Sequence, residues 1–368
     1  MENVTTKYND PAMEGCEKRG QLYFHPVYLT PVVFQGTSGF LTFVAVFFIF
    51  KNHAFRVYYH PNVAFLIILN LISCMILSAA TSWSICNFMY NLLTKLSPCD
   101  MLLKTSFCSK IRSSFLCAFY LLTTSHAGIL LERLWATLFV RSYEKQGKFL
   151  GIFLAISSIV ISIGTILWVI HPEDPEEMTT TCLSFSTSPS IGARIYVVFI
   201  YQLVVDVFIL VLHVFLYIHN IRRQSMPTSD LSEKFQRNEN VKILTQIAPL
   251  IWVSSITVGI YLTVISFVRL FRSDMPTNWY EIIACILFIM PHMPFILTSI
   301  ILYALRKEAK RKATRHSEIL VTQMKYQEDY VRSAMREIDD KFFTRTSGKP
   351  LKKSWTTRLC GKNEVDVN

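Results

Sequence analysis

Residues 149–170 read FLGIFLAISSIVISIGTILWVI, a run without a single charged side chain. At a rise of about 1.5 Å per residue, an α-helix of this length crosses a hydrocarbon layer about 30 Å thick. Backbone amides in lipid must find hydrogen-bond partners within their own segment, which an α-helix provides. The run therefore predicts a membrane-spanning helix.

Six other runs share this apolar, weakly charged character, and the composition agrees with them. Apolar residues make up 51% of the chain and charged residues 17%, which is low for a soluble domain. The sequence predicts an all-α membrane protein, a seven-transmembrane helix bundle over residues 27–305, with an amino-terminal segment (1–26) and a tail (306–368). The predicted spans are 27–50, 62–85, 108–131, 149–170, 195–219, 243–268 and 281–305.

The charge of the short loops predicts the orientation in the membrane. Eleven Lys and Arg side chains lie in or beside the first, third and fifth loops, against five in the alternate loops. Because cytoplasmic loops are enriched in Lys and Arg, the amino terminus is predicted to lie outside and the carboxyl terminus in the cytoplasm. The sequon Asn3-Val4-Thr5 predicts glycosylation of Asn3 on the outer side.

The net charge of +11 indicates the partners of the cytoplasmic side. Basic loops and a basic tail beside a bilayer favour anionic lipid headgroups as the partner, and no nucleic-acid module is recognisable. Residues 306–312, RKEAKRK, follow the seventh span directly. They predict either a short amphipathic helix on the lipid surface or a plain positive flank.

Five of the nine cysteines are predicted at or beyond the outer face, where disulfides persist. An odd number leaves at least one of them without a partner inside this set. These cysteines are Cys16, Cys86, Cys99, Cys108 and Cys182.

The third predicted span resembles the third helix of rhodopsin-like receptors. Cys108 opens this span, and the Glu132-Arg133 pair ends it at the spacing found in those receptors. The resemblance implies a disulfide from Cys108 to Cys182 in the next outer loop, with Cys99 as the alternative partner of Cys182. It also implies that Glu132 and Arg133 belong to a conformational switch. The alternative is that Arg133, at a helix end, simply extends its side chain to the lipid headgroups.

Residues 231–240, LSEKFQRNEN, carry the most specific match. They resemble the Leu-Ser-x-(Arg or Lys)-(Tyr or Phe)-Gln-x-x-Glu-Asn signature of nematode serpentine chemoreceptors of the Sra superfamily, class ab or class a. This resemblance implies a chemosensory G-protein-coupled receptor of the plasma membrane, in sensory neuron cilia. Its partners would be an odorant or pheromone-like small molecule and a heterotrimeric G protein. The seventh span departs from rhodopsin-like receptors, because it carries Pro291-His292-Met293-Pro294 and no Asn-Pro-x-x-Tyr motif.

The entry to the sixth span is predicted to form part of the G-protein surface. Polar residues there also suit a second role, capping of the helix start. Further along, Pro249 is predicted to kink the sixth helix, because proline removes one backbone hydrogen bond. The predicted coupling residues are Glu132, Arg133, Lys234, Phe235, Gln236, Glu239 and Asn240.

Ionisable side chains inside the bilayer are costly, so they are candidates for function. Asp206 lies near mid-depth of the fifth span, where it is predicted to bind a polar or cationic ligand group or to pair with a neighbouring helix. His126 and His213 are predicted to form hydrogen bonds between helices. The predicted ligand-binding residues are Asp206, Tyr201, Gln202, Phe119, Tyr120, Tyr261 and His292.

Other functional classes find less support in the sequence. No nucleophile motif, phosphate-binding loop or Cys-x-x-Cys pair occurs, so neither an enzyme nor a cofactor or metal site is predicted. A membrane transporter would show two halves of related hydropathy. A seven-helix ligand-gated channel of the insect odorant-receptor type would place its amino terminus in the cytoplasm, against the charge bias.

Overall fold

The computed structural model describes residues 25–51, 60–94, 103–143, 147–176, 178–179, 182, 191–227, 230–271, 275 and 277–346. Within these residues the chain is almost entirely helical, as the absence of water in a bilayer requires. Helices α1 to α8 cover Pro26–Lys51, Pro61–Thr94, Thr105–Leu138, Phe149–Ile170, Gly192–Gln224, Leu231–Leu270, Thr277–Leu287 and Met293–Thr346.

Short elements complete the described fold. A single helical turn, Val140–Tyr143, follows α3, and a 3-10 turn, Met290–His292, lies between α7 and α8. Strand β1 (Leu103–Lys104) pairs antiparallel with β2 (Met178–Thr179). This pairing joins the segment before α3 to the segment after α4.

Seven segments of the described residues are long and apolar enough to cross a membrane, the last running through α7 and α8. This agrees with the predicted seven-transmembrane bundle. Large apolar side chains stay exposed on its surface, among them Phe40 at 65%, Leu167 at 68% and Val204 at 62%. Such a surface is unfavourable in water and is expected where lipid surrounds the helices.

Several helices extend beyond the spans predicted from hydropathy. Helix α6 begins at Leu231 rather than at 243, and it continues through Pro249 as one helix to Leu270. Asp230 caps its start by accepting a hydrogen bond of 3.0 Å from the backbone N–H of Ser232. Hydropathy detects only the apolar part of a helix, so it misses polar turns outside the hydrocarbon.

The prediction that residues 281–305 form one helix is wrong. Helix α7 ends at Leu287, and α8 starts only after the 3-10 turn. Pro291 and Pro294 have no N–H to donate to the preceding turn, which explains the break at this place.

A side chain of α1 bonds to carbonyl groups beside this break. The Gln35 amide nitrogen donates to the carbonyl oxygens of Cys285 and Phe288, at 3.3 Å each. Because unpaired carbonyls inside a membrane cost several kcal/mol, these bonds stabilise the broken helix.

Helix α3 is the centre of the bundle. In its most apolar stretch 72% of the residues are buried, against 22% in the corresponding stretch of α4.

Two glycines let neighbouring helices approach closely. A Cβ on Gly39 of α1 would lie 2.7 Å from the Ser82 hydroxyl of α2, and one on Gly151 of α4 would lie 2.6 Å from the Asn62 Cα. Small residues at such contacts are typical of membrane bundles.

The chain divides into two compact units, Met1–Glu308 and Ala309–Asn368. The short helix predicted at 306–312 is in fact part of α8, which ends at Thr346. In the second unit, the described residues 309–346 are helical, and their described side chains are almost all exposed.

Candidate functional site

A disulfide marks one end of the bundle. It joins Cys108, in the first turn of α3, to Cys182 in the segment between α4 and α5. The rhodopsin-like resemblance implied this pairing, and the alternative partner, Cys99, lies outside the described residues. We call this end of the bundle the disulfide end.

A buried ion pair lies close to the disulfide. Arg112 of α3 contacts Glu173, just after α4, and their side chains are only 0% and 5% exposed. The Ser109 hydroxyl donates a hydrogen bond of 2.8 Å to the same carboxylate. Because removing one partner of a buried pair typically costs about 3–5 kcal/mol, the pair fixes the start of the α4–α5 segment on α3.

A polar layer crosses the middle of the bundle, formed by Thr123 of α3 with Gln202 and Asp206 of α5. Asp206 is 3% exposed, and the Gln202 amide nitrogen donates to its carboxylate at 3.2 Å and to the Thr123 hydroxyl. Among the described residues, no Lys, Arg or His forms an ion pair with Asp206 within 4.0 Å. The carboxyl group thus has a hydrogen-bond donor in Gln202 but no opposite charge beside it in the part of the chain that the structure describes.

An aromatic cluster lies about one to two helical turns nearer the disulfide end. The ring of Phe288 contacts Phe115 of α3 at 5.6 Å and Tyr261 of α6 at 6.0 Å, and Tyr261 contacts Phe199 of α5 at 6.4 Å. Nearby on α3, the Tyr120 hydroxyl is buried and has no hydrogen-bond partner within the described chain. The cluster thus joins α3, α5, α6 and the end of α7.

Three predicted ligand residues occupy these layers, and one prediction is wrong. Gln202 and Asp206 lie together in the polar layer, and Tyr261 lies in the aromatic cluster. Tyr201 is 68% exposed and faces away from the bundle, so it does not line the interior. Positions 199, 202 and 206 share one face of a 3.6-residue helix, whereas 201 lies off it.

The remaining predicted ligand residues lie on α3 and in the 3-10 turn between α7 and α8. Phe119 and Tyr120 are buried on α3 with their rings 5.5 Å apart. His292 is hydrogen-bonded to Ser38 of α1. Sequence reasoning missed several residues of the two layers, namely Phe115, Thr123, Phe199 and Phe288. Those on α3 and α5 follow the helical spacing of the predicted residues, so that spacing could have identified them.

The two predicted interhelical histidines are confirmed. His126 of α3 is hydrogen-bonded to the Asn70 side chain of α2 at 2.8 Å. His213 of α5 lies 3.3 Å from the Leu244 carbonyl oxygen and accepts a bond of 3.2 Å from the Trp252 indole, both on α6. Both histidines therefore link neighbouring helices.

Arg133 forms the centre of the opposite end of the bundle, which we call the Arg133 end. Its side chain is 1% exposed and contacts both carboxylate oxygens of Glu132, at 2.5 and 2.6 Å. It also donates a hydrogen bond of 3.0 Å to the Asn240 side-chain oxygen of α6. This bond ties the end of α3 to α6.

Tyr143, in the single helical turn after α3, completes this arrangement. Its hydroxyl accepts from Arg133 at 2.9 Å, donates to Glu132 and is hydrogen-bonded to His60 at 2.8 Å. Burial raises the pKa of the Tyr143 phenol above its ordinary value, so the phenol remains a hydrogen-bond donor even in alkaline solution. Arg133 is thus held by α3, α6 and this turn together.

Further contacts tie α5 and α8 into the same end. The Arg223 guanidinium of α5 donates a bond of 2.9 Å to the carbonyl oxygen of Thr137 on α3. Arg237 of α6 donates a bond of 2.8 Å to the carbonyl oxygen of Arg223. Lys242 of α6 forms an ion pair of 2.5 Å with Glu308 of α8.

The predicted coupling residues separate into a buried and an exposed set. Glu132, Arg133 and Asn240 meet, and Gln236 is buried on the same helix as Asn240. Glu239 is partly buried, whereas Lys234 and Phe235 are exposed. Sequence reasoning missed Tyr143 and His60, because no local pattern shows that residues so far apart in the chain meet.

Comparison with known proteins shows the family. A family model described as "Serpentine type 7TM GPCR receptor class ab chemoreceptor" matches residues 27–339. Serpentine receptor class alpha-39 of Caenorhabditis elegans is 51% identical over 351 residues, covering 94% of each chain. Serpentine receptor class beta-16 of the same organism is 26% identical, over 82% of this chain and 88% of its own length. The chain is therefore a multi-pass membrane protein that belongs to the class ab chemoreceptor family of nematode serpentine receptors.

Proposed function

We propose that this protein is a chemosensory receptor of the plasma membrane, in sensory neuron cilia, that binds an external small molecule and activates a heterotrimeric G protein. In this proposal the disulfide end faces outward and the Arg133 end faces the cytoplasm. The observation that carries it is the buried hydrogen bond from Arg133 to Asn240. A tie between α3 and α6 that can open is the bistable element that a signalling receptor needs.

The same proposal gives each set of coupling residues a role. The bond between Arg133 and Asn240 holds the resting state, and its opening exposes a charge to the G protein. Lys234 and Phe235, exposed on the first turns of α6, belong to the surface that meets the G protein. The basic flank at 306–312 contacts anionic lipid headgroups.

Ligand binding is assigned to the polar layer and the aromatic cluster. Asp206 is buried without an ion pair among the described residues, so a ligand with a cationic or hydrogen-bond-donating group would compensate its carboxyl group. The aromatic cluster would contact the apolar part of such a ligand. The ligand would enter from the disulfide end.

Asp206→Asn tests this assignment. We expect the ligand concentration for half-maximal response to rise about 10- to 100-fold, because a hydrogen bond to a charged group contributes about 1.5–3 kcal/mol. The measurement is a calcium response in cells with matched surface amounts of receptor. Tyr201→Phe, at the exposed neighbour on α5, is the control and should leave the response unchanged. An unchanged sensitivity of Asp206→Asn to every active ligand would contradict the assignment.

A calcium screen of odorants and pheromone-like molecules, with and without G-protein blockade, tests the function as a whole. We expect at least one compound to evoke a response that blockade abolishes. A response that survives blockade would instead favour a ligand-gated channel.

An epitope tag at residue 1 tests the orientation of the bundle in the membrane. Antibodies should reach the tag on intact cells.

A further inference from the structure

The tail helix carries a regular apolar stripe that nothing in the receptor mechanism uses. Seven positions from 321 to 342 recur at alternating steps of three and four residues, the heptad spacing of coiled coils. Six of the seven side chains are apolar, and they are between 52% and 67% exposed. The tail stripe consists of Val321, Met324, Glu328, Val331, Met335, Ile338 and Phe342.

Such a helix lacks the usual source of helical stability. In folded proteins, most of the stability of a helix comes from burial of its apolar face, and isolated helices are marginal in water. The described side chains of residues 309–346 are almost all exposed. A partner that buries the tail stripe would supply this stability.

Charge argues against the membrane surface as that partner. Residues 317–342 contain four basic side chains against six acidic ones, a net charge of −2. The preceding residues, 306–316, contain six basic side chains against one acidic. Anionic headgroups attract the basic segment and repel the acidic one, so the stripe-bearing segment favours a protein partner.

We propose that the tail stripe pairs with the same stripe of a second copy of this chain, as a parallel coiled coil. Two copies in one membrane send their tails out of the same face, which makes the parallel arrangement the natural one. Identical heptads then meet in register, apolar against apolar.

Glu328 gives this pairing its register and limits its strength. It is the one polar member of the tail stripe. In a parallel coiled coil the Glu328 side chains of the two chains would face each other across the core. Within one helix its carboxylate forms an ion pair of 2.6 Å with Arg332, which partly offsets the repulsion between copies. A polar residue at one core position specifies register at a cost in stability. Tethering in one membrane raises the effective concentration of the two tails, so a weak coil suffices.

The experiment measures energy transfer between donor- and acceptor-tagged copies of the full chain in cells, at equal surface amounts. The variant V331K/I338K should lower the transfer at least fivefold, because it places charges in the core of the coil. Lysine favours helix more than valine or isoleucine does, so lost helix propensity would not explain the fall. The control Y326K/Y330K adds the same charge to exposed positions outside the tail stripe and should leave the transfer unchanged.

A third variant tests the sign of the effect. Glu328→Leu completes the apolar core and should raise the transfer at least twofold at low expression. Equal transfer in wild type and V331K/I338K would overturn the proposal and leave a different protein as the occupant of the tail stripe. An equal loss in the control variant would also overturn it, because the effect would then follow charge rather than the stripe.

Discussion

Arg133→Ala should abolish ligand-driven G-protein activation while the receptor still reaches the cell surface. The substitution removes the charge that the proposed active state presents to the G protein, together with the bond to Asn240. Glu132 keeps the hydrogen bond from Tyr143, so its buried carboxylate retains one donor. The measurement is G-protein activation by a saturating ligand, normalised to surface amount.

Two controls separate signalling from folding for this variant. Arg133→Lys loses the planar donor fork of arginine but keeps a positive charge beside Glu132. Because that charge is kept, the surface amount of this variant should remain close to wild type. Full ligand-driven signalling by Arg133→Ala would rule out the assigned switch. A loss of surface protein in both variants would show a structural role instead.

Asn240→Ala should act in the opposite direction, because it removes the tie to α6 and leaves Arg133 in place. A hydrogen bond to a charged group contributes about 1.5–3 kcal/mol, so signalling without ligand should rise about tenfold or more. Thr245→Ala is a suitable control, since Thr245 is exposed and its hydroxyl donates to the carbonyl oxygen of Val241 in its own helix. A basal signal no higher than that of the control would argue against a resting-state tie.

Cys108→Ser and Cys182→Ser should each remove most of the receptor from the cell surface. The disulfide closes a loop with a sequence separation of 74 residues, and loss of such a bridge typically costs about 2–5 kcal/mol. That is a large part of the stability of a typical folded protein. Surface labelling of tagged receptor measures the effect.

The double variant and a free cysteine make this test specific. If the two thiols act only through their bond, Cys108→Ser with Cys182→Ser should be no worse than either single variant. Cys86→Ser removes a free, exposed thiol and should leave the surface amount unchanged. Normal surface amounts for both single variants would discard a role for the bridge in folding.

Hydropathy predicted the seven spans because the cost of placing a residue in lipid is a local property. The span 149–170 coincides with α4. The polar first turns of α6 were missed, because they lie outside the apolar run and depend on a cap at Asp230. The break between α7 and α8 was also missed, since a proline inside an apolar run is compatible with either a kink or an interruption.

Helix periodicity contained part of the site, because Phe199, Gln202 and Asp206 fall on one face of α5. Periodicity could not identify contacts between helices. Gln202 bonds to Thr123 of α3, and Arg133 bonds to Asn240 although 107 positions separate them in the sequence. The free energy of transfer from water to lipid depends on each residue alone, so the sequence by itself specifies which segments cross the membrane. The rotation of each helix about its axis depends on packing against several neighbours at once, so these meetings arise only in the assembled bundle.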